Sequence, residues 1–212
     1  MKPSLARAFY NAAGVTPRND PQDPASTFAI ERIKRPLARH IRPGTRVLDL
    51  CCGAGRYTFA TAALGARAVG LDCAQVPLQY ARSLAIQWHS PCHFLGAVLP
   101  ALPLAADSFD LVLLPGNTIA EFSPEDMALL ARESARVLAP EGLFCHDLRP
   151  DKQAPGPQTA IYSIPGKGRF QYRSYGWTAA TAKAVLGASL QLVEDEVLAT
   201  GRHWLAFQKR PR

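Results

Sequence analysis

The chain has 212 residues, 48% of them hydrophobic and 19% charged, enough apolar material for one sizeable core and too little charge for wholesale disorder. Twenty-four Lys and Arg against 17 Asp and Glu leave a net charge of +7. That balance suits nucleic acid or acidic ligands, yet the charges are scattered, and the densest run, Glu31 to Arg42, reads as the solvated side of a helix. No apolar stretch approaches the roughly 20 residues of a membrane span. The amino-terminal stretch lacks the apolar core of a secretion signal. The five cysteines include no Cys-x-x-Cys pair, and Cys92, His93 and His89 fall short of metal-site spacing. Reduced thiols and a cytoplasmic location are expected.

Residues 1–24 combine a short helical stretch, Leu5 to Tyr10, with a Pro- and Asp-rich loop. Ser26 is expected to cap a helix that runs to about His40, stopped by Pro43-Gly44. An alternation follows: strand 46–50, helix 56–64 closed by Gly65, strand 67–71, helix 77–88, strands 93–98 and 111–114. Ser123 at the N-cap, Pro124 behind it, and Glu125 and Asp126 in the first turn announce the next helix. Met127, Leu130, Ala131, Val137 and Leu138 continue it at helical spacing, and Pro140 and Gly142 are expected to end it before a strand at 143–147. The remainder differs. Residues 151–158 read as flexible. TAIYSI and RFQYRSY flank PGKG and predict a hairpin. Thr178 caps a helix to about Leu186, and two strands follow at 189–198 and 203–209.

Strands apolar on both faces alternate with helices, which predicts an α/β fold with a parallel sheet covered on both sides. One domain is expected. Its parts are an N-terminal helical cap over 1–42, a cofactor-binding core over 43–150, a hairpin or lid insertion over 151–177, and a C-terminal helix with a strand pair over 178–212.

The stretch VLDLCCGAGRYT, residues 47–58, runs from a strand through a glycine-rich turn into a helix, the form of a nucleotide cradle. The sixth position of a dinucleotide fingerprint is Thr58 instead of Gly, and the Lys-Ser or Lys-Thr of a P-loop is absent. Asp49 at the strand end repels phosphate and suits a cation, or else caps the turn. Asp72 closes the next strand, where an acid takes both hydroxyls of a ribose, or else caps a helix. A ligand with a ribose, a positive group and no phosphate is implied, and S-adenosylmethionine fits.

VLDLCCGAGRYT, AVGLDCAQVPLQYAR, LPLAADSFDLVLLPGN and ESARVLAPEGLFCHDLR together resemble the class I S-adenosylmethionine-dependent methyltransferases over about residues 26–210. The resemblance implies a Rossmann-like, mostly parallel seven-stranded sheet with helices on both faces and the last strands antiparallel. It implies S-adenosylmethionine as cofactor and S-adenosylhomocysteine as product. Asp49, Cys51, Gly53, Gly55 and Tyr57 would surround the methionine end, and Asp72 would hold the ribose with Cys73 beside the adenine. Ala97 and Val98 would lie along the adenine where the family often has an acid, and Pro115 and Gly116 would close the site after strand four. Cys51 stands where the family often has Gly, which restricts the turn. GNTIAEF and HDLRPD are similar to segments of the glycine N-methyltransferase subgroup, which places Asn117 and Arg149 at the reaction centre. Arg149 would hold an acceptor carboxylate or, alternatively, pair with Asp147 or Asp151. Pro150 stands where that subgroup has Asn.

His146, Glu121 and His203 are the titratable groups available to a hydroxyl acceptor. His146 is either that base or a core histidine. Tyr10, Tyr172 and Tyr175, with Phe170 and Trp177, would wall an acceptor pocket or pack beneath the hairpin, and Arg169 and Arg173 add positive charge there. The expected function is methyl transfer to a nitrogen or oxygen of a small molecule, carboxylate-bearing on the evidence of the arginines, by a monomer or homodimer that neither enters a membrane nor needs a metal. An RNA or protein methyltransferase, motivated by the charge, and a non-catalytic S-adenosylmethionine-binding regulatory protein are the alternatives.

Overall fold

In a computed structural model, residues 3–149 and 154–211 are described. Their strands begin where the apolar runs begin. Strands β1 (Arg46–Leu50), β2 (Arg67–Asp72), β3 (His93–Gly96), β4 (Phe109–Leu114) and β5 (Leu138–Leu148) pair in parallel. Strands β8 (Leu190–Val197) and β9 (His203–Lys209) close the sheet, β9 running antiparallel to both β5 and β8. The order across the sheet is β3-β2-β1-β4-β5-β9-β8, so the seven-stranded, mostly parallel sheet expected from the sequence is present. The order reverses between β1, which leads outward to β2, and β4. That switch point is where an open α/β sheet offers a crevice beyond its carboxyl ends.

Alternation along the strands feeds opposite faces. Leu48, Leu50, Val112, Leu114, Phe144 and Phe207 pack with helix α5 (Pro124–Val137) and helix α6 (Ala179–Gly187). Val47, Leu111, Leu113, Cys145 and Trp204 face Ile33 and Leu37 of helix α2 (Pro24–Arg39). Helices α3 (Arg56–Ala63) and α4 (Gln75–Gln87) cover β1 to β3. Helix α1 (Pro3–Ala13) is tied to the start of α4 by the Val76 amide, which donates to Asn11 at 2.9 Å.

Several boundaries depart from the sequence reading, two of them for a clear reason. Asp23, not Ser26, caps α2, accepting from the Ala25 amide at 2.8 Å, because Pro24 occupies the first helical position; Ser26 is buried inside the helix. Pro140 and Gly142 do not stop α5. The helix ends at Val137, and β5 starts at once with Leu138 opposite Phe109. Residues 139–142 then bulge before the pairing resumes at Leu111 with Leu143, a register shift that accommodates the proline. Strands β6 (Gly156–Ile164) and β7 (Gly168–Gly176) form a separate antiparallel pair, the expected hairpin. Pro150 and Asp151, and with them the start of the segment read as flexible, lie outside the described residues.

Candidate functional site

The site is built on the carboxyl ends of β1, β2, β4 and β5. Leaving β1, the chain turns through Cys51 to Gly55 with left-handed backbone at Cys51 (φ 55°), Gly53 (φ 56°) and Gly55 (φ 85°). The two glycines serve different needs. A Cβ on Gly55 would lie 2.7 Å from the Phe94 ring, so this position lets the turn lie against β3. A Cβ on Gly53 would meet nothing within 4 Å, so it faces open space. Cys51 bears a left-handed conformation that typically costs an L-residue about 1–2 kcal/mol, in keeping with the restriction foreseen for that position.

Asp72 closes the turn from β2. Its Oδ2 accepts the Gly53 amide at 2.8 Å and its Oδ1 the Ala74 amide at 2.8 Å. Asp72 thus holds the turn and the approach to α4 through backbone amides, and each oxygen keeps a spare lone pair. Desolvation raises its pKa against these backbone hydrogen bonds. Asp49 is buried, with Oδ2 accepting the Thr58 hydroxyl at 2.6 Å. Its Oδ1 has no partner among the described residues. Burial, opposed by the Thr58 hydrogen bond and the Arg56 charge, pushes this carboxyl up to about 7.

The third edge of the site is held by Asp147. Its Oδ1 accepts the amides of Gly116 at 2.5 Å and Asn117 at 3.4 Å, and its Oδ2 forms a buried ion pair with Arg202. Asn117, itself left-handed at φ 65°, returns its side-chain oxygen to the Arg149 amide at 2.8 Å. The ends of β4 and β5 are thus locked together after Pro115. Asp147 is not available to the Arg149 side chain, which is exposed and has no ion-pair partner among the described residues. Arg56, which the sequence reading passed over, crosses this edge. Its guanidinium lies 4.5 Å above the Tyr57 ring, donates to the Arg18 carbonyl, and would sit 2.7 Å from a Cβ on Gly116. Tyr57 lies under the same glycine, and burial pushes its phenol up to about 12. Ala97 donates its amide to the Asp72 main-chain carbonyl at 3.0 Å, with Val98 exposed next to it. Burial raises the Cys73 thiol to about 11.

A roof covers the crevice. After Asn117 a single 3-10 turn, Thr118–Glu121, brings Glu121 beneath α1 and β7. The Tyr10 hydroxyl donates to Glu121 Oε1 at 2.6 Å, and the Tyr172 hydroxyl donates to the same oxygen. Phe9 packs against Tyr10, Tyr162 and Tyr172 with ring centroids 5.1 to 5.4 Å apart.

Four expectations need correction. His146 is 0% exposed, its ring stacked on Phe207 and tilted against Phe144 in the core, with neither nitrogen partnered among the described residues. Burial lowers its pKa to about 3. It has no route to a substrate proton and is a core histidine. Tyr175 packs on Trp177 against the main core instead of joining Tyr172. Arg169 and Arg173 are exposed and alternate away from Tyr172 along β7, so their charge does not line the site. His203 is turned to Asp195 on β8, 3.9 Å away. Among the described residues no group of three or more His, Cys, Asp or Glu could hold a metal ion. None of the helices they form is long and apolar enough to cross a membrane.

Residues 47–142 match the methyltransferase domain family. The fold matches that of a solved protein of Pyrococcus horikoshii OT3 at 20% identity and a TM-score of 0.80, covering 95% of this chain and 98% of that one. Over residues 47–142 the chain is similar to methyltransferase domains, and its fold is one they share. It is 35% identical over 124 residues to an uncharacterized methyltransferase of Synechocystis, covering 58% of this chain and 56% of that protein. The chain therefore spans about half the length of that curated relative. The 1,6-didemethyltoxoflavin N1-methyltransferase of Burkholderia thailandensis, solved with its acceptor and S-adenosylhomocysteine, shares the methyltransferase fold at 18% identity and a TM-score of 0.68, covering 98% of this chain and 88% of that one. Nothing among these comparisons bears specifically on glycine N-methyltransferase.

Proposed function

We propose that this protein transfers the methyl group of S-adenosylmethionine to a nitrogen or oxygen of a small molecule. The observation that carries the reading is the pair Asp49 and Asp72 around a turn whose Gly53 opens onto free space. Two acids there would repel a phosphate and favour a nucleoside that bears cations. The residues fit the cofactor in particular ways. Asp49 leaves one carboxylate oxygen without a partner among the described residues, towards a positive group. Asp72 keeps lone pairs for the ribose hydroxyls while its backbone donors hold the turn in shape. The Arg56 guanidinium suits the carboxylate of the methionine end. Cys73, Ala97 and Val98 offer an apolar side to the adenine.

When bound, the cofactor supplies an electrophilic methyl on a sulfonium. The chain's own task is then to align an acceptor with that carbon and exclude water, which can provide a large share of the rate. The roof of Tyr10 and Tyr172 over Glu121 supports a small acceptor, since a polymer needs an open groove. Asn117 and Arg149 lie at the rim, where the exposed guanidinium would hold an acceptor carboxylate while Asn117 fixes its backbone. The relative solved with a small heterocyclic acceptor supports the same reading.

Calorimetry with S-adenosylmethionine and S-adenosylhomocysteine tests the cofactor assignment; a protein that binds neither overturns it. Release of S-adenosylhomocysteine with a panel of phenols, amines and heterocycles, run beside total RNA and ribosomal protein, tests the acceptor. Methylation of RNA or protein with every small acceptor silent would replace the small-molecule reading.

A further inference from the structure

Glu121 has a feature that roofing does not explain. Tying α1 and β7 to the sheet takes one carboxylate oxygen, and Oε1 accepts both tyrosine hydroxyls. Oε2 is shut off from solvent and has no partner among the described residues. Leaving a buried carboxylate oxygen bare is costly. Tyr10 and Tyr172 lie 111 and 51 residues from Glu121 in sequence, so the orientation is enforced from two distant parts of the chain. Their two hydrogen bonds fix the carboxylate and leave Oε2 for another donor.

The position of Glu121 indicates which donor. It closes the 3-10 turn that begins after Asn117, beyond the end of β4, the strand next to β1. Desolvation and the charge of Asp72 raise its pKa, opposed by the two tyrosine hydrogen bonds. Its own charge helps to raise the thiols of Cys51 and Cys73, the residues that follow β1 and β2. Glu121 therefore sits beneath α1 and the hairpin, past the end of the strand that adjoins β1.

We propose that Glu121 is the proton acceptor of methyl transfer, its Oε2 taking first the hydrogen bond and then the proton of an N–H or O–H on the acceptor atom. The acceptor's lone pair forms the new bond to carbon as the carbon–sulfur bond breaks, its electrons remaining on sulfur. The proton from the acceptor passes to Oε2 and leaves when α1 and the hairpin part to release the products. Tyr10 and Tyr172 are positioning residues that hold Oε1. The inference rests on the cofactor reading above and narrows the acceptor to groups that carry a hydrogen on the methylated atom, excluding tertiary amines and thioethers.

Sinefungin tests this without knowledge of the acceptor. It bears a primary amine where the donor's sulfonium bears the methyl, so it presents N–H donors on the acceptor side. Its dissociation constant is compared with that of S-adenosylhomocysteine by calorimetry in the wild type and in Glu121→Gln. A charge-assisted hydrogen bond predicts a wild-type preference for sinefungin of about tenfold or more, falling to within about twofold in the variant. A merely structural Glu121 would weaken both ligands together and leave their ratio unmoved. A wild-type ratio near one, or a ratio unchanged by the substitution, overturns the proposal. Failure of the wild type to bind either ligand refutes the cofactor reading instead. In the acceptor panel, phenols and anilines then separate O–H from N–H substrates, and both lose turnover in Glu121→Gln.

Discussion

Gly53 and Gly55 lie two residues apart in one turn, both left-handed, yet the structure assigns them opposite sensitivities. In Gly53→Ala the added methyl meets no atom within 4 Å, so the fold bears only the cost of a left-handed alanine at φ 56°. That cost is about 1–2 kcal/mol, offset by about 0.4–1 kcal/mol from a stiffer unfolded chain. For a chain of this size the melting temperature then falls by only a few degrees. In Gly55→Ala the same backbone cost is joined by a contact of 2.7 Å with Phe94. Overpacking adds about 1–3 kcal/mol, so a drop of about 5–15 °C follows. Binding should invert the order. The methyl at 53 projects into the space assigned to the ligand, which predicts an affinity loss for S-adenosylhomocysteine of about tenfold or more, worth 1.4 kcal/mol. Differential scanning fluorimetry and calorimetry on the two variants measure both quantities. Equal destabilisation by the two substitutions, or unchanged binding in Gly53→Ala, would refute the division of labour within the turn.

Three further outcomes are expected. Asp72→Ala should weaken S-adenosylhomocysteine by about 100-fold, since hydrogen bonds to a charged group contribute about 1.5–3 kcal/mol each; unchanged calorimetric affinity would reject the ribose assignment. Arg202→Met should destabilise the fold by about 3–5 kcal/mol in chemical denaturation, because it strands the buried Asp147 charge beneath Gly116; a loss under 1 kcal/mol would place that charge in contact with water. His146→Phe should spare methyl transfer and flatten the acid side of the stability curve. The unfolded imidazole takes a proton below its ordinary value of 6.5, whereas the buried one does so only at about 3. Stability is therefore lost as pH falls through that window, at up to about 1.4 kcal/mol per pH unit. Asp49, raised to about 7, acts in the opposite sense, gaining stability as pH falls, so the difference between variant and wild type is the informative quantity. An identical pH dependence would mean that the ring reaches solvent.

What the sequence disclosed was local. Asp49, Gly53, Gly55 and Asp72 could be read because a strand, a bulk-free turn and a helix follow one another within a few residues, and the next strand ends on its own acid. His146 stayed open between base and core histidine for the same reason. Its neighbour Asp147 faces the site edge while alternation turns His146 into the core, and no local signal says which of two adjacent polar residues takes which face. The partners that decide the site edge are remote: Arg202 lies 55 residues beyond Asp147, and Tyr10 lies 111 residues before Glu121. Ser26 lost the cap to Asp23 because the Asp23 carboxylate accepts the Ala25 amide and Pro24, with no amide to satisfy, suits the first helical position.

The stretch that matches the methyltransferase family, residues 47–142, contains Glu121 but neither tyrosine that grips it. A fragment trimmed to that stretch would keep the nucleoside cradle and lose its ceiling, leaving the donor open to solvent. Exchanging the amino-terminal helix and the hairpin between such proteins would accordingly redirect which molecules receive the methyl while leaving the source of that methyl untouched.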